Sequence, residues 1–160
     1  MGIKMTTPQG AFDAFFQKCL DIIKDEIFNV LAKLGEESVR KIRDRSFDES
    51  WIDHTANLRS SIGYSIYDYG VQQIQSAFET VKSGTLGSAK GKKMVADLAK
   101  EYSNVFAVVV VAAMEYADKV EAIESKDVLE STRIWAQDVV NERLEKAKEV
   151  AINKINALTL

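Results

Sequence analysis

The chain has 160 residues, 46% hydrophobic and 28% charged, with a formal charge of −3. That length predicts a single domain over 1–160, and ordinary apolar content with one proline excludes collagen-like, mucin-like and disordered classes. One cysteine (Cys19) and one histidine (His54) exclude a disulfide scaffold and a four-ligand structural zinc site.

Helical periodicity dominates the first third. Phe12, Phe15, Phe16, Cys19, Leu20, Ile23, Ile27, Val30, Leu31 and Leu34 recur at spacings of three and four. Val39 and Ile42 extend the stripe, which predicts a helix over 8–45 with Gly35 weakening its middle. Such a helix is about 55 Å long at 1.5 Å per residue. A domain of this size is roughly 30–35 Å across, so part of the helix is expected to overhang it or cover a neighbour.

Segment 51–80 changes period. Ile62, Tyr64 and Ile66 alternate with Gly63 and Ser65, as in a half-buried strand; Asp68-Tyr69-Gly70 supplies a turn, and 71–78 reads as a return strand. Segment 82–102 is expected to be a flexible basic insertion. It opens as a loop through Ser83–Ser88 and passes into a short helix with Met94, Val95, Leu98 and Tyr102 on one face. The β-branched run 105–111, within 104–114, reads as a central strand. A C-terminal helix over 126–158 carries Trp135, Val139, Val140, Leu144, Ala147, Ala151, Ile155 and Leu158 on its apolar stripe. The fold class expected is α+β, with a long helix at each end of a small antiparallel sheet.

Residues 1–10 lack the apolar core of a secretory signal, and the longest apolar run, 105–114, is about half the roughly 20 residues that span a bilayer. The expectation is a soluble, cytoplasmic protein without membrane contact.

Chemistry is hard to find. His54 has only Asp53 or Asp48 to work with and reads as a loop or capping residue. Cys19 sits on the apolar stripe as a small hydrophobe. Gly84–Lys93 lacks the glycine spacing of a phosphate loop, and Lys93 stands where a Ser or Thr would hold magnesium. Asp118 and Glu121 lie in an acidic ridge with no metal-ligand set beside them, and no Gly-x-Ser-x-Gly motif occurs. The reading is a non-enzyme with no catalytic residue, cofactor or metal.

Charge is unevenly placed. Lys82, Lys90, Lys92, Lys93 and Lys100 face Asp97 alone within 82–100. Glu115, Asp118, Glu121, Glu124, Asp127 and Glu130 outnumber Lys119 and Lys126 within 115–130. Two solvated surfaces explain this. So does head-to-tail contact between subunits, through Lys90, Lys92 and Lys93 on one copy and Glu115, Asp118, Glu121 and Glu124 on the next. A DNA-facing basic segment is the third reading.

One segment goes further. Trp51-Ile52-Asp53-His54-Thr55-Ala56-Asn57-Leu58-Arg59-Ser60-Ser61-Ile62 resembles the Thr-Gly-Asn-Leu-Arg-x-Ser-Ile signature of the tail-component family of long-tailed phages, named after the tenth gene of a lambdoid siphophage. Its counterparts here are Thr55, Asn57, Leu58, Arg59 and Ile62. Tyr116, Ala117, Val120 and Glu121 are similar to the family's second block, Tyr-Ala-x-Tyr-Val-Glu. Ala56 replaces a glycine, which matters if that position has positive φ; Lys119 replaces an aromatic residue; and the 82–102 insertion is long.

Physically, Thr55 or Asn57 can cap a short turn, Leu58 and Ile62 can anchor it in the core, and Arg59 is left to fix a carboxylate. The resemblance implies a structural protein of tail completion or head–tail joining. It would assemble as a ring with itself and dock on other tail or connector proteins. It would be found in the bacterial host cytoplasm during assembly and then at the virion head–tail junction or tail. The alternative is a nucleic-acid-binding module using Lys82–Lys100, which the net acidity disfavours.

Overall fold

A 35-residue helix, α1 (Gln9–Arg43), opens the described part of the chain. The computed structural model describes residues 9–45, 51–52, 54–123 and 127–158. A short helix α2 (Asn57–Ser60) follows, then strands β1 (Ile62–Asp68) and β2 (Val71–Gln75), helix α3 (Thr85–Leu98) with a 3-10 turn at Ala99–Tyr102, strand β3 (Phe106–Ala112), helix α4 (Ala117–Glu121) and helix α5 (Glu130–Asn156). The architecture is α+β: two long helices and a three-stranded antiparallel sheet containing a hairpin.

Tyr69 and Gly70 turn the hairpin with φ of 48° and 83°, the doubly positive geometry whose twist matches that of paired strands. The return strand ends at Gln75, short of the expected Phe78. Phe78 instead takes φ 49° and buries its ring against Val95 and Val111.

The sheet order is β2-β1-β3, so β1 is the central strand and β3 an edge, which corrects the expected placement of the 104–114 run. Its apolar character has another cause. Val110 and Ala112 pack on the cluster of Ile42, Leu58 and Ile62, while Val109 and Val111 meet Phe78, Val95 and Leu98 on the opposite face. Cover on both faces favours apolar residues on both, whether or not both edges of the strand are paired.

The 82–102 segment is not a loop opening into a short helix. Helix α3 begins at Thr85 and packs against α2 through Gly87, against Phe78 through Ser88 and Gly91, and against the sheet through Val95. Glycines allow the approach. A Cβ at Gly91 would lie 2.3 Å from the Phe78 ring, and one at Gly87 would lie 1.9 Å from the Asn57 carbonyl oxygen. Gly35 serves α1 in the same way, because a Cβ there would lie 2.4 Å from the Tyr64 ring. What reads as a weak point in a helix is the place where β1 packs beneath it.

The chain's contacts form two compact units. One holds the described residues up to Val30 together with those from Asn141 onward; the other is Leu31–Val140. In the first, Ile23 and Ile27 of α1 face Leu144, Ala147, Ala151 and Ile155 of α5, with Lys154 bonded to Glu26 at 2.5 Å. Phe12, Phe16, Leu20 and Ile23 are exposed there. The second unit holds the sheet, α2, α3 and α4. No helix among the described residues is long and apolar enough to cross a membrane.

Candidate functional site

The two segments that carry the family resemblance meet in space. Leu58 and Ile62 of the first, and Met114 and Ala117 of the second, are buried in one cluster with Ile42, Trp51 and Val128; Val120 packs against it. Beside it, Thr55, Asn57, Tyr116 and Val120 line a common cleft of about 370 Å³ with Trp51 and His54. The Trp51 indole nitrogen is buried without a hydrogen-bond partner.

Their polar residues serve the ends of other helices. Asn57 Oδ1 accepts the backbone N–H of Gly87 at 3.1 Å, in the first turn of α3. The α3 N-cap residue, Gly84, has no side chain to do this, so the acceptor comes from α2. Thr55 Oγ1 accepts the Asn57 N–H at 3.4 Å. Arg59 donates to the carbonyl of Arg43 at the C-terminal end of α1, and its guanidinium lies 4.9 Å from the centre of the Trp51 ring. Ala56 has φ 57°, the left-handed conformation that glycine adopts without strain.

Glu121 has the most specific role. Its carboxylate accepts the N–H groups of Val128 (3.0 Å), Leu129 (2.8 Å) and Glu130 (3.1 Å) at the start of α5. A negative charge there meets both unpaired donors and the positive end of the helix dipole. This places the helix start at Glu130, inside the expected 126–158. Arg45, which the sequence did not single out, clamps the same turn. It donates to the Asp127 and Val128 carbonyls at 2.6 and 3.3 Å and to the Ser131 and Thr132 hydroxyls at 2.8 and 2.5 Å. It also pairs with the Asp127 carboxylate at 3.0 Å. Only spatial proximity, not spacing, links Arg45 and Glu121 to α5.

The proposed charged contacts divide. Lys90 pairs with Glu115 of the same chain, and the lysine ammonium holds the Glu115 carboxyl below the usual carboxylate range. Glu121 is engaged at α5, so it and Lys90 both have partners within the chain. Lys92, Lys93 and Asp118 are exposed, the two lysines on α3 rather than on a loop. Glu124 lies outside the described residues. Among the described residues, Lys82, Lys92, Lys93 and Lys100 make no ion pair, and no group of three His, Cys, Asp or Glu side chains is placed to hold a metal ion. Cys19 is half-buried on α1.

No protein-family model, no curated protein and no solved structure matches this chain.

Proposed function

We propose that this chain is a structural protein of a phage or prophage, acting in tail completion or head–tail joining by ring-type self-assembly and docking on tail or connector proteins. The observation that carries this reading is the meeting of the two resemblance segments. Residues 55–62 and 114–121, separate in sequence, share a core cluster and a cleft, and their polar members cap helix ends. These are the jobs of residues that order a scaffold. The left-handed backbone at Ala56, where the family pattern has glycine, supports the same assignment.

For assembly, the exposed apolar residues Phe12, Phe16, Leu20 and Ile23 offer the contact surface. Their spacing of three and four places them along one side of α1. The test is complementation of a tail-defective particle. A Phe12→Ser/Phe16→Ser double variant is expected to keep its circular dichroism spectrum and lose incorporation into particles. Normal incorporation would overturn the role given to this surface.

One observation favours a second reading as a nucleic-acid-binding module. Lys82, Lys92, Lys93 and Lys100 are exposed and, among the described residues, not neutralised by an ion pair. That reading requires DNA affinity that falls steeply with salt and is lost in Lys92→Glu/Lys93→Glu. The assembly reading requires little DNA binding at physiological salt.

A further inference from the structure

We propose that the outer edge of β3 is a strand-addition site, and that its occupant is β3 of a second copy of this chain, paired antiparallel to form a continuous six-stranded sheet.

The direction of the main-chain groups follows from the hairpin. Ser76 N–H donates to the Tyr64 carbonyl at 2.9 Å, and Tyr64 N–H donates to the Ser76 hydroxyl at 2.9 Å, so the main chain of Tyr64 faces β2. Main-chain direction alternates along a strand. Ser65 and Tyr67 therefore face β3, where they pair with Val109 and Ala107. The Tyr69 N–H, bonded to the Val105 carbonyl at 3.1 Å, keeps the same parity. Val108, Val110 and Ala112 must then point N–H and C=O away from β1. Among the described residues no group bonds to them there.

This edge carries none of the usual guards. Its sequence, Phe-Ala-Val-Val-Val-Val-Ala, has no charge and no proline, and its register with β1 runs through seven pairs without a bulge. Val108, Val109 and Val110 are only half-buried although both faces of the strand are packed. On one face, Val108 and Val110 line an apolar cleft of about 330 Å³ with Leu34, Leu129, Ala136 and Val140. A strand added at the edge would extend this wall with its own side chains.

The strand is complementary to itself. β3 has seven residues, an odd number. In the fully overlapped antiparallel register, Val108 lies opposite the partner's Val110. The outward-facing residues therefore meet one another, as a hydrogen-bonded ladder requires. An even-length strand would set them against inward-facing ones. Pairing with β2 of another copy fits less well. β2 and β3 both run antiparallel to β1, so extending the sheet by simple repetition would make a parallel pair, and Gln-rich β2 would meet an all-apolar strand.

The test uses the full chain and does not depend on the phage assignment. Hydrogen exchange on the unmodified protein is expected to show Val108 and Val110 amides becoming protected as concentration rises, in step with a dimer by light scattering. Val110→Pro removes an outward N–H without cutting the β1–β3 ladder, and is expected to abolish the dimer. Val109→Cys in a Cys19→Ser background is expected to cross-link under mild oxidation, because Val109 lies opposite its own copy in this register.

Fast exchange at Val108 and Val110 at every concentration would overturn the proposal, as would a dimer that persists in folded Val110→Pro. If that variant does not fold, exchange on the unmodified chain decides alone. A large ring with fast-exchanging edge amides rejects the β3 pairing and leaves the assembly reading intact. A β3 dimer that never joins a particle does the reverse.

Discussion

The side-chain oxygen of Asn57 lies 3.1 Å from the backbone nitrogen of Gly87, so α2 caps α3 from thirty positions upstream. The contact needs glycine on one side and a short acceptor on the other. Gly87→Ala places a Cβ 1.9 Å from the Asn57 carbonyl oxygen, a backbone atom that cannot swing aside. The expected loss is about 3 kcal/mol or more, in the range of severe core strain. Asn57→Ala removes only the cap and is expected to cost about 1–2 kcal/mol. Chemical denaturation of the two variants checks the order; equal losses would contradict the close approach.

Ala56 makes a different demand. Its φ of 57° penalises any side chain, and it is also buried. Ala56→Gly relieves the backbone but gives up a packed methyl and loosens the unfolded chain, so stability is expected to stay within about 1 kcal/mol of the parent. Ala56→Val adds a β-branched side chain in the same conformation and is expected to cost about 2 kcal/mol or more. Thermal melts of both variants provide the comparison.

At the start of α5, Glu121 accepts three backbone N–H groups. Glu121→Ala is expected to destabilise by about 1–2 kcal/mol, while Glu121→Gln keeps an acceptor, loses the charge and costs less. Amide exchange should quicken at Val128–Glu130 in the alanine variant. Unchanged exchange there would remove the cap from the account.

Asp127 gives a pH dependence. Burial alone pushes its carboxyl up, but hydrogen bonds from Ser131 and the contacts of Arg45 outweigh this and hold it below the ordinary aspartate range. The unfolded chain then binds the proton more readily than the folded one. Its contribution is fully present above the unfolded value, about 3.9, and is lost as pH falls through the folded value. Asp127→Asn is expected to melt below the parent at pH 7, with the gap closing on acidification below about pH 4. A gap independent of pH would show that the charge is not what stabilises this turn.

Much of the fold is legible in local pattern, because periodicity reports burial. The spacing of Leu31, Leu34 and Ile42 marks α1, and the alternation of Ile62, Tyr64 and Ile66 marks β1 as a strand; β1 is not half-buried as expected, however, because Gly63 and Ser65 on its other face are buried as well. The errors sit where a distant residue decides. Helix α3 begins at Thr85 without a local side-chain cap, since Asn57 supplies it, and its glycines read as loop until Phe78 and Asn57 are seen against them. The start of α5 depends on Glu121 and Arg45. Val108–Val111 look central because burial on two faces and pairing on two edges leave the same mark on a sequence. Of the candidate contacts, Lys92, Lys93 and Asp118 remain at the surface, while Lys90 and Glu121 are used within the chain.

Self-assembly is the central claim, and mass in solution tests it most directly. Light scattering of the full chain over a concentration series, at low and high salt, is expected to show a discrete oligomer. Its mass should persist at high salt, as contact through apolar surfaces requires. A strict monomer at every concentration and both salts would contradict the account.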